Sequence, residues 1–255
     1  MMEFLLGFLI AAMIAMTGVG AGTVTAPLLI LLLHLPAEAA VGTALAYSAA
    51  VKLVVVPVHL WRRTIAWRTL GLMLATGLPG VVVGALLFRR VAHIQADAIW
   101  LYLALGVMIA FPSAWTIYRH FRPAALHDGR KHRPRLLALV MLPVGAEVGF
   151  SSSGAGALGT LALMCCTPLE TTRIVGTDLA FGLCLALVGG GMHLSGGAVD
   201  LVLLQRLVAG GVLGAIVGAS LASHIPARAM RLALSLWLLA MGMQLCWQAF
   251  AQAAN

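Results

Sequence analysis

The chain has 255 residues, of which 62% are hydrophobic and only 9% are charged, and its mean hydropathy is +1.02. Because about a quarter of the residues of an ordinary soluble domain are charged, this composition excludes a fold covered by water. The net charge of +8 does not indicate a nucleic-acid partner, since the basic residues lie between apolar segments rather than in one surface stripe. The composition predicts an all-α integral membrane protein whose partner is the lipid bilayer.

Apolar segments recur along the whole chain, and several are shorter than the roughly 20 residues that a spanning helix needs. No Lys or Arg precedes the first segment, so we expect it to be retained rather than removed as a signal peptide. The predicted segments run at about 2–16, 23–33, 42–61, 69–88, 96–117, 136–150, 157–167, 174–194, 201–221 and 229–250.

A basic stretch divides the chain into a first membrane repeat (1–117), a cytoplasmic linker (118–135) and a second membrane repeat (136–255). A shift of 134 positions aligns the Gly-Ala-Gly at 20–22 with that at 154–156, and the Val-Gly-Thr at 41–43 with that at 175–177. Between residues 20 and 87, 22 of 68 positions are identical, whereas about 6 are expected from the composition. The two halves are therefore copies of one unit.

A continuous helix over residues 2–33 would be about 48 Å long, which exceeds the roughly 30 Å of hydrocarbon in a bilayer. We expect a break in the glycine-rich segment at 17–23. If residues 2–33 form a hairpin, the repeats are inverted and 12 of the 16 Lys and Arg residues lie on one face. If they form one broken span, the repeats are parallel and the division is about 9 to 5.

The positive-inside rule favours inverted repeats. We therefore predict a polytopic helical bundle of two inverted repeats, with both chain termini outside. Each repeat would contain a glycine-broken hairpin, or a pair of short helices, plus three full spans.

Interrupted helices place unpaired backbone N–H groups near mid-membrane, where they can hold an anion. Glycines allow close approach of these groups, and hydroxyl side chains supply further donors. The alternative is that small residues only allow helices to pack closely. The candidate substrate-binding residues are Thr17, Gly20, Gly22, Thr23, Lys52, Ser152, Ser153, Gly154 and Gly156.

The sequence resembles the TauE/SafE family of sulfite and organosulfur anion exporters. The resemblance lies in Gly-Val-Gly-Ala-Gly at 18–22 with Pro-Leu-Leu at 27–29, Ala-Val-Gly-Thr at 40–43, Ser-Gly-Ala-Gly at 153–156 and Val-Gly-Thr-Asp at 175–178. It implies transport of a small anion, such as sulfite, a sulfonate or sulfoacetate, across the bacterial cytoplasmic membrane. We expect a secondary transporter that works by alternating access, without a cofactor and without enzymatic activity.

Ionisable residues inside apolar segments are further candidates, because a charge at mid-membrane costs at least about 2.5 to 3.5 kcal/mol. Lys52 could attract an anion or pair with an acid. Glu147 and Asp178 are candidates for proton coupling, although Glu147 could instead pair with a cation and Asp178 could stabilise a helix end. His59 and His193 occupy equivalent helix ends, where they are expected to cap the helix or lie at the headgroups.

Two other functions compete with anion transport. The serines at 151–153, with His193 and Asp178, suggest an intramembrane hydrolase, but they lack the glycine of a GxSG turn. The eight histidines suggest a metal-cation transporter, but most lie in the linker or loops. No metal site is therefore predicted. The GxxxG pairs at 80/84 and 214/218 are expected to pack helices within the protomer, and a homodimer remains open.

Overall fold

A computed structural model of the chain describes residues 1–17, 21–93, 98–121, 133–153, 156, 158–221 and 227–253. This part of the chain is helical throughout and contains no strand. Helices dominate because a backbone in hydrocarbon must satisfy its hydrogen bonds within each segment. The ten described helices are α1 Met2–Thr17, α2 Ala21–Leu33, α3 Ala37–Trp61, α4 Trp67–His93, α5 Ala98–Phe121, α6 Pro134–Ser151, α7 Leu158–Cys166, α8 Thr171–Ser195, α9 Leu201–Leu221 and α10 Ala227–Ala253.

Seven of these helices, α3 to α6 and α8 to α10, are long and apolar enough to cross a membrane, whereas α1 and α2 are shorter. The polytopic helical bundle predicted from the sequence is therefore confirmed. α3 and α8 form its centre, since 67% of their apolar stretch is buried, against 33% to 44% in the other five. α5 continues to Phe121 and α6 begins at Pro134, so both helices extend into the proposed linker at 118–135.

Glycine contacts establish the directions of the packed helices. A Cβ on Gly80 would overlap the Leu142 carbonyl, and a Cβ on Gly84 would overlap the Ala146 carbonyl. Because both residue numbers increase together, α4 and α6 are parallel. By contrast, Gly42 abuts Ala198 whereas the later α3 residue His59 lies beside Gly176, so α3 and α8 are antiparallel.

The same contacts recur in the other half after a shift of 134 residues. α1 and α9 are parallel through Gly214 against Phe8 and Gly218 against Ala12, which are the equivalents of the α4–α6 pairs. Two aromatic contacts are also equivalent, Gly77 with Phe181 and Gly211 with Tyr47. Two hydrogen bonds are equivalent as well: the Ala66 N–H donates to the Thr177 hydroxyl (2.9 Å), and the Asp200 N–H donates to the Thr43 hydroxyl (3.1 Å). These four contacts between the halves thus each have an equivalent.

These contacts divide six helices into two directional sets. α1, α3 and α9 run one way, and α4, α6 and α8 run the other way, because α3 is parallel to α9 and α4 is parallel to α8. The members of each equivalent pair, such as α3 and α8, therefore belong to opposite sets.

Each half begins with a helical hairpin. The Arg133 N–H, at the start of α6, donates to the Cys166 carbonyl at the end of α7 (2.9 Å), so the chain returns to the face from which it started. In the first half, α2 connects to α3 through residues 34–36 and packs against it, so α2 runs opposite to α1 and α3. α1 and α2 thus have the opposite directions that a hairpin over residues 2–33 requires.

Candidate functional site

The breaks of the two hairpins meet inside the protein. Gly22, in the first turn of α2, lies so close to Ser152 that a Cβ on Gly22 would overlap the Ser152 carbonyl and hydroxyl oxygens. Ser152 directly follows α6 and has a left-handed backbone with φ of 63°. Both residues are buried. The close approach requires glycine at position 22 and holds one break directly against the other.

A serine cluster forms the α6 side of this contact. The Ser153 hydroxyl donates to Glu147 Oε1 (3.0 Å) and lies 2.7 Å from the Ser151 hydroxyl, which contacts the Glu147 carbonyl (3.0 Å). The Ser152 hydroxyl is buried and has no hydrogen-bond partner among the described residues. A buried hydroxyl without a partner is costly unless a ligand satisfies it.

The first turn of α7 contacts an acidic side chain of α8. The Thr160 hydroxyl donates to Asp178 Oδ2 (2.7 Å), and a Cβ on Gly159 would overlap Asp178 Oδ1. Asp178 is 3% exposed. Its carboxylate therefore lies at the N-terminal end of a short helix, where the aligned peptide dipoles favour negative charge. The sequence had suggested such a role at the start of α8, but the partner helix is α7.

Lys52 is buried in α3 and interacts electrostatically with Asp178. It is 4% exposed, and its ammonium makes no hydrogen bond within the described ranges. Asp178 thus connects three elements: its own helix α8, the first turn of α7 and the Lys52 side chain of α3. A lysine this deeply buried is unstable without a nearby negative charge.

The other candidate residues are only partly described. Thr23 is buried beside Gly22, and Gly156 is buried in the segment between α6 and α7. Thr17 ends α1, but its side chain lies outside the described part. Gly20 and Gly154 lie outside the described residues altogether.

His59 and His193 are equivalent in sequence but differ in their surroundings. His59 is half-buried, and its Nδ1 lies 3.0 Å from the Thr64 hydroxyl in the turn after α3. His193 is 1% exposed, its Nε2 lies 3.1 Å from the Gly149 carbonyl, and its ring packs on Phe88. Both histidines lie in the last turns of their helices, but His193 is buried among residues of both halves, whereas His59 is only half-buried.

The sequence analysis missed Gly159 and Thr160 because neither belongs to the repeated glycine motif. A hydroxyl residue in the first turn of a helix too short to span was the available signal. The GxxxG pairs at 80/84 and 214/218 do pack helices within the chain, against α6 and α1 respectively. The described residues hold no group of three or more His, Cys, Asp or Glu side chains that could bind a metal.

Together these features define a polytopic α-helical membrane protein with two broken hairpins that meet at a buried polar centre. The sequence pattern of the family described as "Sulfite exporter TauE/SafE" matches residues 3–245. The chain belongs to this family, and it is a membrane transporter rather than an enzyme.

Two curated relatives come from Bacillus subtilis (strain 168). "Probable membrane transporter protein YjnA" is 28% identical over 249 residues, which cover 94% of this chain and 97% of the relative. "Probable membrane transporter protein YdhB" is 27% identical over 230 residues, covering 89% and 91% respectively. No solved structure matches the chain.

Proposed function

We propose that this protein is a secondary transporter that moves a small sulfur-containing anion, of the sulfite, sulfonate or sulfoacetate class, across the bacterial cytoplasmic membrane. The anion would bind at the buried centre where the breaks meet, and access would alternate between the two faces. The observation that carries the proposal is the contact of Gly22 with Ser152, which joins two helix breaks inside the bundle.

Inverted repeats are part of this proposal. Equivalent helices of the two halves fall in opposite directional sets, and the contacts between the halves occur in equivalent pairs. In such a bundle, a conformation open to one face has a counterpart, of similar energy, open to the other face. This equivalence is the physical basis for alternating access.

The distribution of charge supports an orientation. The helix directions bring the ends of α3, α5, α7 and α9 to one face. Of the 16 Lys and Arg residues, 12 lie at this face when the helix-end residues are counted with the segments that follow these helices; the helix-end residues are Arg68, Arg119, Arg135, Arg173, Arg228 and Arg231. The positive-inside rule assigns this face to the cytoplasm. The hairpin of α1 and α2 would then enter from outside and that of α6 and α7 from the cytoplasm.

The polar groups at the centre fit an anion. The buried hydroxyl of Ser152 can donate a hydrogen bond, and α2 and α7 both begin near the breaks, with their unpaired N–H groups directed inward. Lys52 supplies a full positive charge at a depth where anions otherwise pay a large cost of desolvation. Glu147 and Asp178 are the two candidates for coupling anion movement to protons.

Uptake into proteoliposomes tests the function directly. The purified protein would be assayed with sulfite, sulfoacetate, taurine, thiosulfate and simple carboxylates, each with and without a pH gradient. We expect saturable, protein-dependent accumulation of at least one sulfur-containing anion, stimulated by the gradient. Equal uptake by protein-free vesicles for every anion would overturn the proposal.

The two competing functions have their own controls in the same preparation. Labelling by a serine-reactive probe together with peptide or ester hydrolysis would support the hydrolase instead. Protein-dependent flux of a divalent cation without anion flux would support the metal transporter. Light scattering in detergent would show whether the transporter is a homodimer.

A further inference from the structure

Two deeply buried groups of opposite charge, Lys52 on α3 and Asp178 on α8, are groups that an incoming anion would also meet. Asp178 is 3% exposed and Lys52 is 4% exposed, and the two side chains interact electrostatically. The same carboxylate accepts a hydrogen bond from the Thr160 hydroxyl, and its Oδ1 lies where a Cβ on Gly159 would be. A protein carboxylate thus already occupies the positive environment formed by Lys52 and the first turn of α7.

Charge balance limits what else this environment can hold. Lys52 and ionised Asp178 together carry no net charge. A monovalent anion added beside them would leave one uncompensated negative charge in a buried site, which costs several kcal/mol. If Asp178 takes up a proton at the same time, the anion replaces the carboxylate as the partner of Lys52 and the site stays neutral.

We propose that Asp178 competes with the transported anion for Lys52 and the first turn of α7, so that each anion bound requires one proton on the Asp178 carboxylate. This inference rests on the proposed anion transport. It adds that Asp178 is the carboxylate that couples the anion to protons, that one proton moves with each anion, and that both move in the same direction. The proton comes from the solution on the side where the anion enters, and it leaves with the anion on the other side. Anion and proton therefore move together.

The surroundings of Asp178 distinguish it from Glu147, the half-buried acid of α6. α3 contributes Lys52 and His59, whose ring lies beside Gly176; α7 contributes Thr160 and, at its C-terminal end, the thiols of Cys165 and Cys166. α4 contributes Arg89, which lies at the opposite end of α8 beside Gly196, and α8 itself contributes Arg173 and His193. Glu147 of α6 is bonded to Ser153 instead, and Lys52 interacts with Asp178.

Proton uptake on binding is the decisive measurement. Purified protein in weakly buffered detergent solution would be titrated with a monovalent sulfonate, methanesulfonate, while a pH-indicator dye reports free protons. A sulfonate group stays ionised from about pH 6 to about pH 8, so any uptake comes from the protein. We expect about one proton per bound anion, and an anion affinity that falls about tenfold per pH unit where Asp178 is ionised.

Two variants test which carboxylate takes up this proton. Asp178→Asn should bind the anion without proton uptake, and its affinity should change less than about twofold over the same pH range. Glu147→Gln is the matched control, since it neutralises the half-buried acid bonded to Ser153 and should keep the wild-type proton count if Asp178 alone takes up the proton. Proton uptake that persists in Asp178→Asn, or is lost in Glu147→Gln, overturns the assignment.

The wild-type titration keeps the inference testable even if Asp178→Asn does not fold. Saturable anion binding without proton uptake would overturn the competition and leave the proposed transport intact. Failure of every sulfur-containing anion to bind or to be transported would overturn the proposed function itself.

Discussion

The two halves of the molecule share one framework but carry different charges. α3 and α8 are both 25 residues long and begin at equivalent positions, Ala37 and Thr171. The contact of Gly84 with Ala146 recurs as Gly218 with Ala12. Glycines at which a Cβ would collide with the backbone of the other half, Gly80 and Gly84 with their equivalents Gly214 and Gly218, are thus among the repeated residues.

The three buried or half-buried charged residues of the centre do not follow the repeat. Lys52 corresponds to Ala186, Asp178 to Ala44 and Glu147 to Met13 when the chain is shifted by 134 positions. The serines after α6 correspond to Thr17 and the two residues that follow it. The comparison teaches that the glycine packing is shared by the halves, whereas the charges at the centre belong to one half each; in the proposed mechanism the shared packing would allow the movement and the charges would bind and couple.

The largest effect is expected from filling the contact between the breaks. Gly22→Leu places a side chain where the Ser152 carbonyl and hydroxyl lie, so the two breaks cannot meet, and transport should fall to the level of empty vesicles. Flux into proteoliposomes measures the loss, and the amount of protein in the membrane fraction shows that insertion persists.

Gly191→Leu is the matched control for this substitution. Gly191 lies on an exposed part of α8 with no atom near its missing Cβ, so transport should stay within about twofold of wild type. Gly156→Leu changes the equivalent position of the second half and should also abolish transport. Loss in only one of the two glycine variants would confine the site to one break, and wild-type flux in both would eliminate it.

Much of the fold followed from the sequence because hydropathy and glycine spacing are local signals. The segments predicted at 201–221 and 136–150 match α9 (Leu201–Leu221) and α6 (Pro134–Ser151) closely. The pairing of helices across the halves did not follow, since a glycine motif indicates close packing without naming the partner. That Gly80 packs on α6 rather than on a second copy required coordinates.

The next largest effect is expected at the buried lysine. Lys52→Ala removes the full positive charge near Asp178, and the apparent affinity for the transported anion should fall tenfold or more, which corresponds to about 1.4 kcal/mol or more. The concentration dependence of uptake measures the change. Arg206→Ala is the control, because Arg206 is an exposed cation paired with Glu3 (2.7 Å) and its loss should leave the affinity unchanged.

An unchanged concentration dependence in Lys52→Ala would exclude the lysine from the binding region.

The candidate site could be predicted only in part from the sequence. Lys52 and Asp178 stood out because charges are rare in apolar segments, yet their sequence separation gave no sign that they interact. The contact of the Asp178 side chain with the first turn of α7 depends on how α7 folds back along α6, and local sequence patterns do not show this.

A smaller effect separates the two equivalent histidines. His193→Ala removes a buried ring that packs on Phe88 and bonds to Gly149, and it should lower the free energy of unfolding by about 2 to 3 kcal/mol. His59→Ala removes a half-buried ring in a turn and should cost less than about 1 kcal/mol. Thermal unfolding in detergent compares them. Equal losses in the free energy of unfolding would mean that the burial of His193 does not stabilise the fold more than the half-buried position of His59 does.

The smallest effect is expected at Ser152, where stability and binding should change in opposite directions. Ser152→Gly relieves a left-handed backbone with φ of 63° and removes a buried hydroxyl that has no partner in the described structure. Stability should therefore rise by about 1 kcal/mol. If that hydroxyl donates to the anion, the affinity for the anion should fall several-fold.

Ser153→Ala is the control for stability. It breaks the hydrogen bond to Glu147, so it should lower the stability that Ser152→Gly raises. A Ser152→Gly protein that is more stable and binds the anion as tightly as wild type would show that the hydroxyl faces the breaks without contacting the ligand.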